Sequence, residues 1–112
     1  NVYVIVYDIL DAIRIRKNNS KVNIMAIYSN TISEDQLIII CDCVPKQSKI
    51  IIAFSNNVPS FIVEEEIEKL KQSGYQQIEI ADIPPQYTSF ADMMFDDPAI
   101  EREEVNRSLR IC

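Results

Sequence analysis

The chain contains no histidine and no tryptophan, and only one glycine, Gly74, among its 112 residues. Without histidine it lacks the commonest general base near neutral pH and the commonest side chain for binding zinc or copper. Loops that cradle phosphate need several glycines so that the backbone can approach closely, which excludes both the P-loop and the dinucleotide-binding fingerprint. The three cysteines, Cys41, Cys43 and Cys112, are too few and odd in number for a disulfide framework, and fit a reducing compartment. No apolar run approaches the roughly 20 residues that span a bilayer, and no basic flank marks a signal peptide. These absences lead us to expect a cytoplasmic protein with no membrane partner. The chain starts at Asn1 rather than methionine, as a processed chain or an excised domain would.

A length of 112 residues with 47% hydrophobic content leads us to expect one domain with an ordinary core. Seventeen acids against eleven bases leave a formal charge of −6. That field repels nucleic-acid phosphate and anionic lipid, so a general nucleic-acid binder is disfavoured.

Val2 to Tyr7 is a β-branched and aromatic run with no polar face, which suits a strand covered on both sides. Residues 8–17 fit either a helix face (Ile9, Leu10, Ile13) or a half-exposed strand, and Asn18-Asn19-Ser20 makes a good turn. We read residues 12–17 and 21–28 as a hairpin. Thr31/Glu34 and Ser33/Gln36 both match the capping-box spacing, but LIIICDCV (residues 37–44) reads as a strand, paired with residues 49–54 in a second hairpin. Beyond Ser55 the pattern turns helical. Ser60 is expected to cap a helix over 61–73, with Val63, Ile67 and Leu70 as its buried stripe, Glu65 and Lys69 paired, and Gly74 as its left-handed terminator. A strand follows over 76–83, so residues 49–83 form a parallel strand–helix–strand unit. Asp97 and Pro98 open a C-terminal helix that buries Ile100, Val105, Leu109 and Cys112, with Glu103 and Arg107 paired on its surface. The expected fold is therefore α/β or α+β, with a single mixed sheet of five to six strands and antiparallel hairpins in its first half.

Three groups of residues could carry function. Asp8, Asp82 and Ser55-Asn56-Asn57 fall at expected strand ends, where open α/β sheets collect ligands, and Asp11 adds a third carboxylate. If the strands are parallel neighbours, Asp8, Asp11 and Asp82 would hold Mg²⁺ while Ser55, Asn56 and Asn57 orient a phosphate. The same residues also suit the plain role of ending strands at water. Cys41 and Cys43 on a strand would share a face and pack as small hydrophobes, since two thiols cannot close a zinc site alone. Arg14, Arg16, Lys17 and Lys21 form the basic cluster, expected at a solvated hairpin tip. Tyr87, Phe90, Met93, Met94 and Phe95 lie beside an acidic C-terminal third and make a candidate protein interface.

VYVIVYD (residues 2–8) resembles the first strand and aspartate of the small CRISPR adaptation endonucleases. KIIIAFSNNVPSF resembles the strand-plus-asparagine sensor of viral superfamily-3 helicases. Each likeness ends with its own few residues, and no family is assigned. The function expected is a non-catalytic protein-interaction or regulatory domain without a cofactor, binding a protein partner or forming a homo-oligomer. The alternative is an Mg²⁺-dependent phosphate-handling enzyme, a nuclease or nucleotide hydrolase, that uses the strand-end carboxylates.

Overall fold

Strands and helices alternate through residues 1–111, the part of the chain that the computed structural model describes. The order is β1 (Val2–Val6), α1 (Ile9–Asn18), β2 (Asn23–Ala26), α2 (Glu34–Cys43), β3 (Lys49–Ala53), α3 (Ser60–Gln72), β4 (Gln77–Ile80) and α4 (Pro98–Ser108). A single 3-10 turn, Phe90–Asp92, precedes α4. The strands form one sheet in the order β2-β1-β3-β4, and every pairing is parallel. This is an α/β fold with four parallel strands. It overturns the expected mixed sheet of five to six strands, and neither antiparallel hairpin exists.

Both errors arise from isoleucine-rich helices. Residues 9–18 are helical because Asp8 and Asp11 form a reciprocal capping box, with Asp8 accepting from the Leu10 N–H at 2.9 Å. Residues 34–43 are helical in spite of their β-branched run. Ser33 and Gln36 close a second capping box, and the parallel step from β2 to β3 needs a crossover element. Ile40 is buried against the sheet, whereas Ile38 and Ile39 face solvent, so the apolar residues give no clean helical period. On this helix Cys41 is half-buried and Cys43 exposed, so the two thiols do not share one packed strand face.

The strand–helix–strand unit around α3 is present. Val63 and Leu70 are buried, Ile67 packs beside them, and Gly74 follows the helix at φ 102°, where a side chain would be strained. Helix α3 begins at Ser60 itself, after Pro59, without a side-chain cap. Lys69 pairs with the buried Glu66 rather than with Glu65. At α4, Asp97 caps the helix by accepting from the Ala99 N–H at 2.9 Å, with Pro98 in the first turn. Val105 and Leu109 are buried and Ile100 is exposed, while Cys112 lies outside the described residues.

Two apolar layers sandwich the sheet. Val4, Val6, Ile51 and Ala53 meet α1, α4 and the Phe90–Met93 segment on one face. Ile5, Ile50 and Ile52 meet α2, α3 and Tyr75 on the other. The central strands β1 and β3 are covered on both faces, as parallel strands require. β2 and β4 form the edges.

Candidate functional site

The chain leaves β1 towards α1 on one face and β3 towards α3 on the other, so a topological switch point lies between the carboxyl ends of these neighbouring strands. A cleft of about 370 Å³ opens there, lined by Tyr7, Asp8, Asp11, Asn30, Ser55 and Thr88 among others. Asp8 and Ser55 therefore meet at one cleft, with Asp11 beside them. Asp82 follows β4, does not line this cleft, and uses its N–H to reach the Ser108 carbonyl at 2.7 Å. Among the described residues no group of three Cys, Asp or Glu side chains is placed to hold a metal ion.

Several of these polar groups already have structural work. Asp11 is buried; one carboxylate oxygen accepts from the Ala91 N–H at 2.9 Å and the other from the Asp8 N–H at 3.3 Å. Asp8 commits one oxygen to the cap of α1. Asn56 directs its amide at the carbonyls of Ile83, Pro84 and Tyr87, at 3.0, 3.1 and 2.8 Å, and thereby fastens the segment after β4. The Ser55 hydroxyl accepts from the Asn57 N–H at 3.3 Å, and Asn57 is exposed. Asn30 and Thr88, which the sequence did not single out, reach the cleft from the loops after β2 and β4.

The aromatic and methionine segment is turned largely inward. Phe90 and Met93 are fully buried in the core, and Tyr87 and Phe95 pack against it with their rings 5.9 Å apart. Met94, 72% exposed, is the one member fully in solvent.

The basic cluster lies on the last turns of α1 and the loop beyond, not on a hairpin tip. Two of its members serve Glu101, which is only 2% exposed. Arg14 lies 3.0 Å and Lys17 3.4 Å from its carboxylate, and Asn18 donates to it at 2.8 Å. Burial pushes the Glu101 pKa up. The bonds from Asn18, the Phe95 N–H and Lys17, with the Arg14 charge, outweigh it and hold the carboxyl below its usual range. Glu66 plays a comparable part across the sheet, accepting from the Ile32 N–H at 2.6 Å and from Lys69 at 3.0 Å. A shallower trough of about 720 Å³ runs between residues 18–21 and α4, at the opposite end of the strands from the switch point. Its rim mixes Lys21 and Arg102 with the Arg107–Glu103 pair, so it has no single charge character.

The two sheet edges differ. The carbonyl of Ile80 on β4 accepts from Arg110 Nε at 2.9 Å, and the Asp82–Ser108 bond lies just beyond, so residues 108–110 cover the end of that edge and leave Ile78 open. On β2, the Ile27 N–H bonds inward to Val6, and strand alternation then turns the backbone groups of Ile24 and Ala26 outward. Among the described residues no side chain and no backbone outside the ladder pairs with them. An apolar groove flanks β2 on each face, one formed with Ile9, Ala12 and Ile13 of α1 and one with Ile40, Cys43 and Val44 of the α2 side. Ile9 and Ile13 in the first groove are 49% and 57% exposed and Tyr28 is 59% exposed, while the exposed Tyr7 and Leu10 line the switch-point cleft. Tyr28, just past β2, adopts φ 55°, an uncommon backbone for an aromatic residue.

No helix among the described residues is long and apolar enough to cross a membrane. No protein-family model, curated protein or solved structure matches the chain.

Proposed function

We propose that the chain is a non-catalytic protein-interaction domain that works in a reducing, cytoplasmic setting, and that the β2 edge with its apolar surround is the binding surface. The carrying observation is the pairing of outward-facing, unbonded backbone at Ile24 and Ala26 with the exposed Ile9 and Ile13 of the flanking groove and with Tyr28 just past the strand. Unpaired strand backbone supplies affinity by strand addition, and flanking apolar grooves supply selectivity. Exposed apolar residues gathered on one side are also the usual mark of an interaction site. The structural duties of Asp11 and Asn56 count against a carboxylate-based catalyst.

A second reading draws on the cleft at the switch point. There Asp8, with one carboxylate oxygen outside its cap, Ser55 and Thr88 line a space suited to a small ligand, which favours Mg²⁺-dependent phosphate handling. A thermal-shift series with Mg²⁺, Mn²⁺ and nucleotides separates the two. No metal-dependent rise is expected. A rise that Asp8→Asn abolishes would overturn the interaction reading in favour of the cleft.

A further inference from the structure

We infer that the occupant of the β2 edge is a second copy of this chain, paired β2 to β2 in antiparallel fashion across a two-fold axis at Met25. The inference rests on the interaction reading above and names the partner.

Apart from its shortness, the strand carries none of the devices that keep edges apart: Asn23–Ala26 has no lysine, no proline and no bulge. Its outward groups belong to Ile24 and Ala26, one residue either side of Met25. In an antiparallel pair centred on Met25, Ile24 of each copy faces Ala26 of the other, and each such pair exchanges both backbone bonds. A strand of the same sequence therefore satisfies every outward group in this short segment.

Charge points to the same arrangement. Exposed Arg16 and Lys21 lie at the start of β2, where α1 ends. Exposed Glu34 and Asp35 lie beyond its other end, where α2 begins, held near β2 by the Gln36 side chain donating to the Ile27 carbonyl. A two-fold axis across β2 brings the basic end of one copy and the acidic end of the other to the same end of the joined strands. Arg16 lies on the α1 face and Glu34 and Asp35 on the α2 face, so the attraction acts around the sheet edge. A parallel pairing would place like charges together. The exposed Ile9 and Ile13 of α1 then meet their counterparts over the joined strands, where an isologous interface repeats each contact.

The test is sedimentation equilibrium on the full chain with the variants Ala26→Pro and Ile13→Lys. Proline at residue 26 removes an outward N–H that the sheet does not use, and Ile13 is a solvent-facing helix position, so both variants keep the thermal midpoint near that of the parent. The parent is expected at twice the chain mass at about 100 μM, with each variant raising the dimer Kd by about tenfold or more. Reversal of Arg16 and Lys21 to Glu should weaken the dimer, and adding Glu34→Lys and Asp35→Lys should restore it. With the native cysteines replaced, Met25→Cys should give a disulfide-linked dimer on oxidation, because facing residues in such a pair have Cα atoms about 4.5 Å apart.

A parent that stays monomeric at every concentration overturns the pairing. So does a dimer indifferent to both Ala26→Pro and Ile13→Lys, or one that Met25→Cys fails to link. These outcomes leave the metal and nucleotide series unaffected, so the failure of the pairing and the failure of the interaction reading are separately visible.

Discussion

Replacing Glu101 with glutamine tests whether the cluster joining α1 to α4 stabilises the fold through its charge. The carboxylate takes bonds from Arg14, Asn18 and the Phe95 N–H and lies 3.4 Å from Lys17. Glutamine keeps the shape but has one accepting oxygen, so its amide nitrogen must face either the Arg14 guanidinium or the Asn18 amide, donor against donor. The Arg14 Nε is already buried without a partner among the described residues. Removing one member of a fully buried ion pair costs about 3–5 kcal/mol. Lys17 reaches water here, with 61% of its side chain exposed, so a loss of about 2–3 kcal/mol is the expected figure. With 112 residues and an unfolding entropy of about 2.1 cal/mol/K per residue, that lowers the midpoint by about 9–13 °C. Urea unfolding followed by far-UV circular dichroism at several pH values supplies the sharper check. The folded pKa of Glu101 lies below its unfolded value, so the contribution is complete above the unfolded pKa, about 4.3, and is lost as pH falls through the folded one. The gap between parent and Glu101→Gln should accordingly be widest near neutrality and close in acid. A gap that stays constant down to about pH 2.5, or one under about 0.5 kcal/mol throughout, would refute the charge-based account.

Further expectations concern groups that tie loops to the framework. The Tyr75 hydroxyl donates towards the carbonyls of Ile40 and Val44, at 2.9 and 2.7 Å, where α2 ends. Tyr75→Phe should cost about 1–2 kcal/mol by urea unfolding. Burial, with Cys41, Tyr3 and Cys43 adding to it, pushes the Tyr75 phenol up. Its share of stability is thus complete below the unfolded pKa and lost as pH rises through the higher folded one, which a parent-minus-Phe comparison in alkali will show. Glu66→Leu leaves the buried Ile32 N–H unpaired, so amide exchange at Ile32 should quicken by about tenfold or more. Asn56→Ala removes the donor to three carbonyls after β4, and should expose residues 83–88 to limited proteolysis at a cost of about 1–2 kcal/mol.

Capping chemistry was the most legible part of the fold. Gly74 and the Asp97-Pro98 pair mark the end of α3 and the start of α4 by local rules that tertiary context did not override. The capping spacing of Ser33 and Gln36 was equally visible, but Leu37 to Val44 misleads because β-branched residues suit a strand and are tolerated in a helix when packing demands it. The Asp8–Asp11 box was obscured because the usual signature has serine or threonine followed by glutamate or glutamine. Once α1 and α2 are read as strands, antiparallel hairpins follow automatically, and the parallel order is lost. At the candidate site, the rule that ligands gather at strand ends brought Asp8 and Ser55 to one cleft. It could not reveal that Asn56 is spent on three carbonyls, since those partners lie at least 27 residues away. Nor could composition separate Phe90 and Met93, enclosed in the core, from Ile9 and Ile13, left on its surface. That difference depends on where the sheet ends.

The cover that Arg110 and Ser108 place over the end of β4 also bears on what such a sheet can become. A sheet open at both edges adds copies without limit and grows into a ribbon. Here Arg110 occupies the Ile80 carbonyl and Ser108 the Asp82 N–H, so with two chains joined through β2 a third strand arriving at β4 would have to displace this tail to pair along the whole edge. If chains do join through β2, residues 108–110 would hinder growth at the opposite edge. Their removal would free the Ile80 carbonyl and the Asp82 N–H, and would so favour longer assemblies over a closed pair.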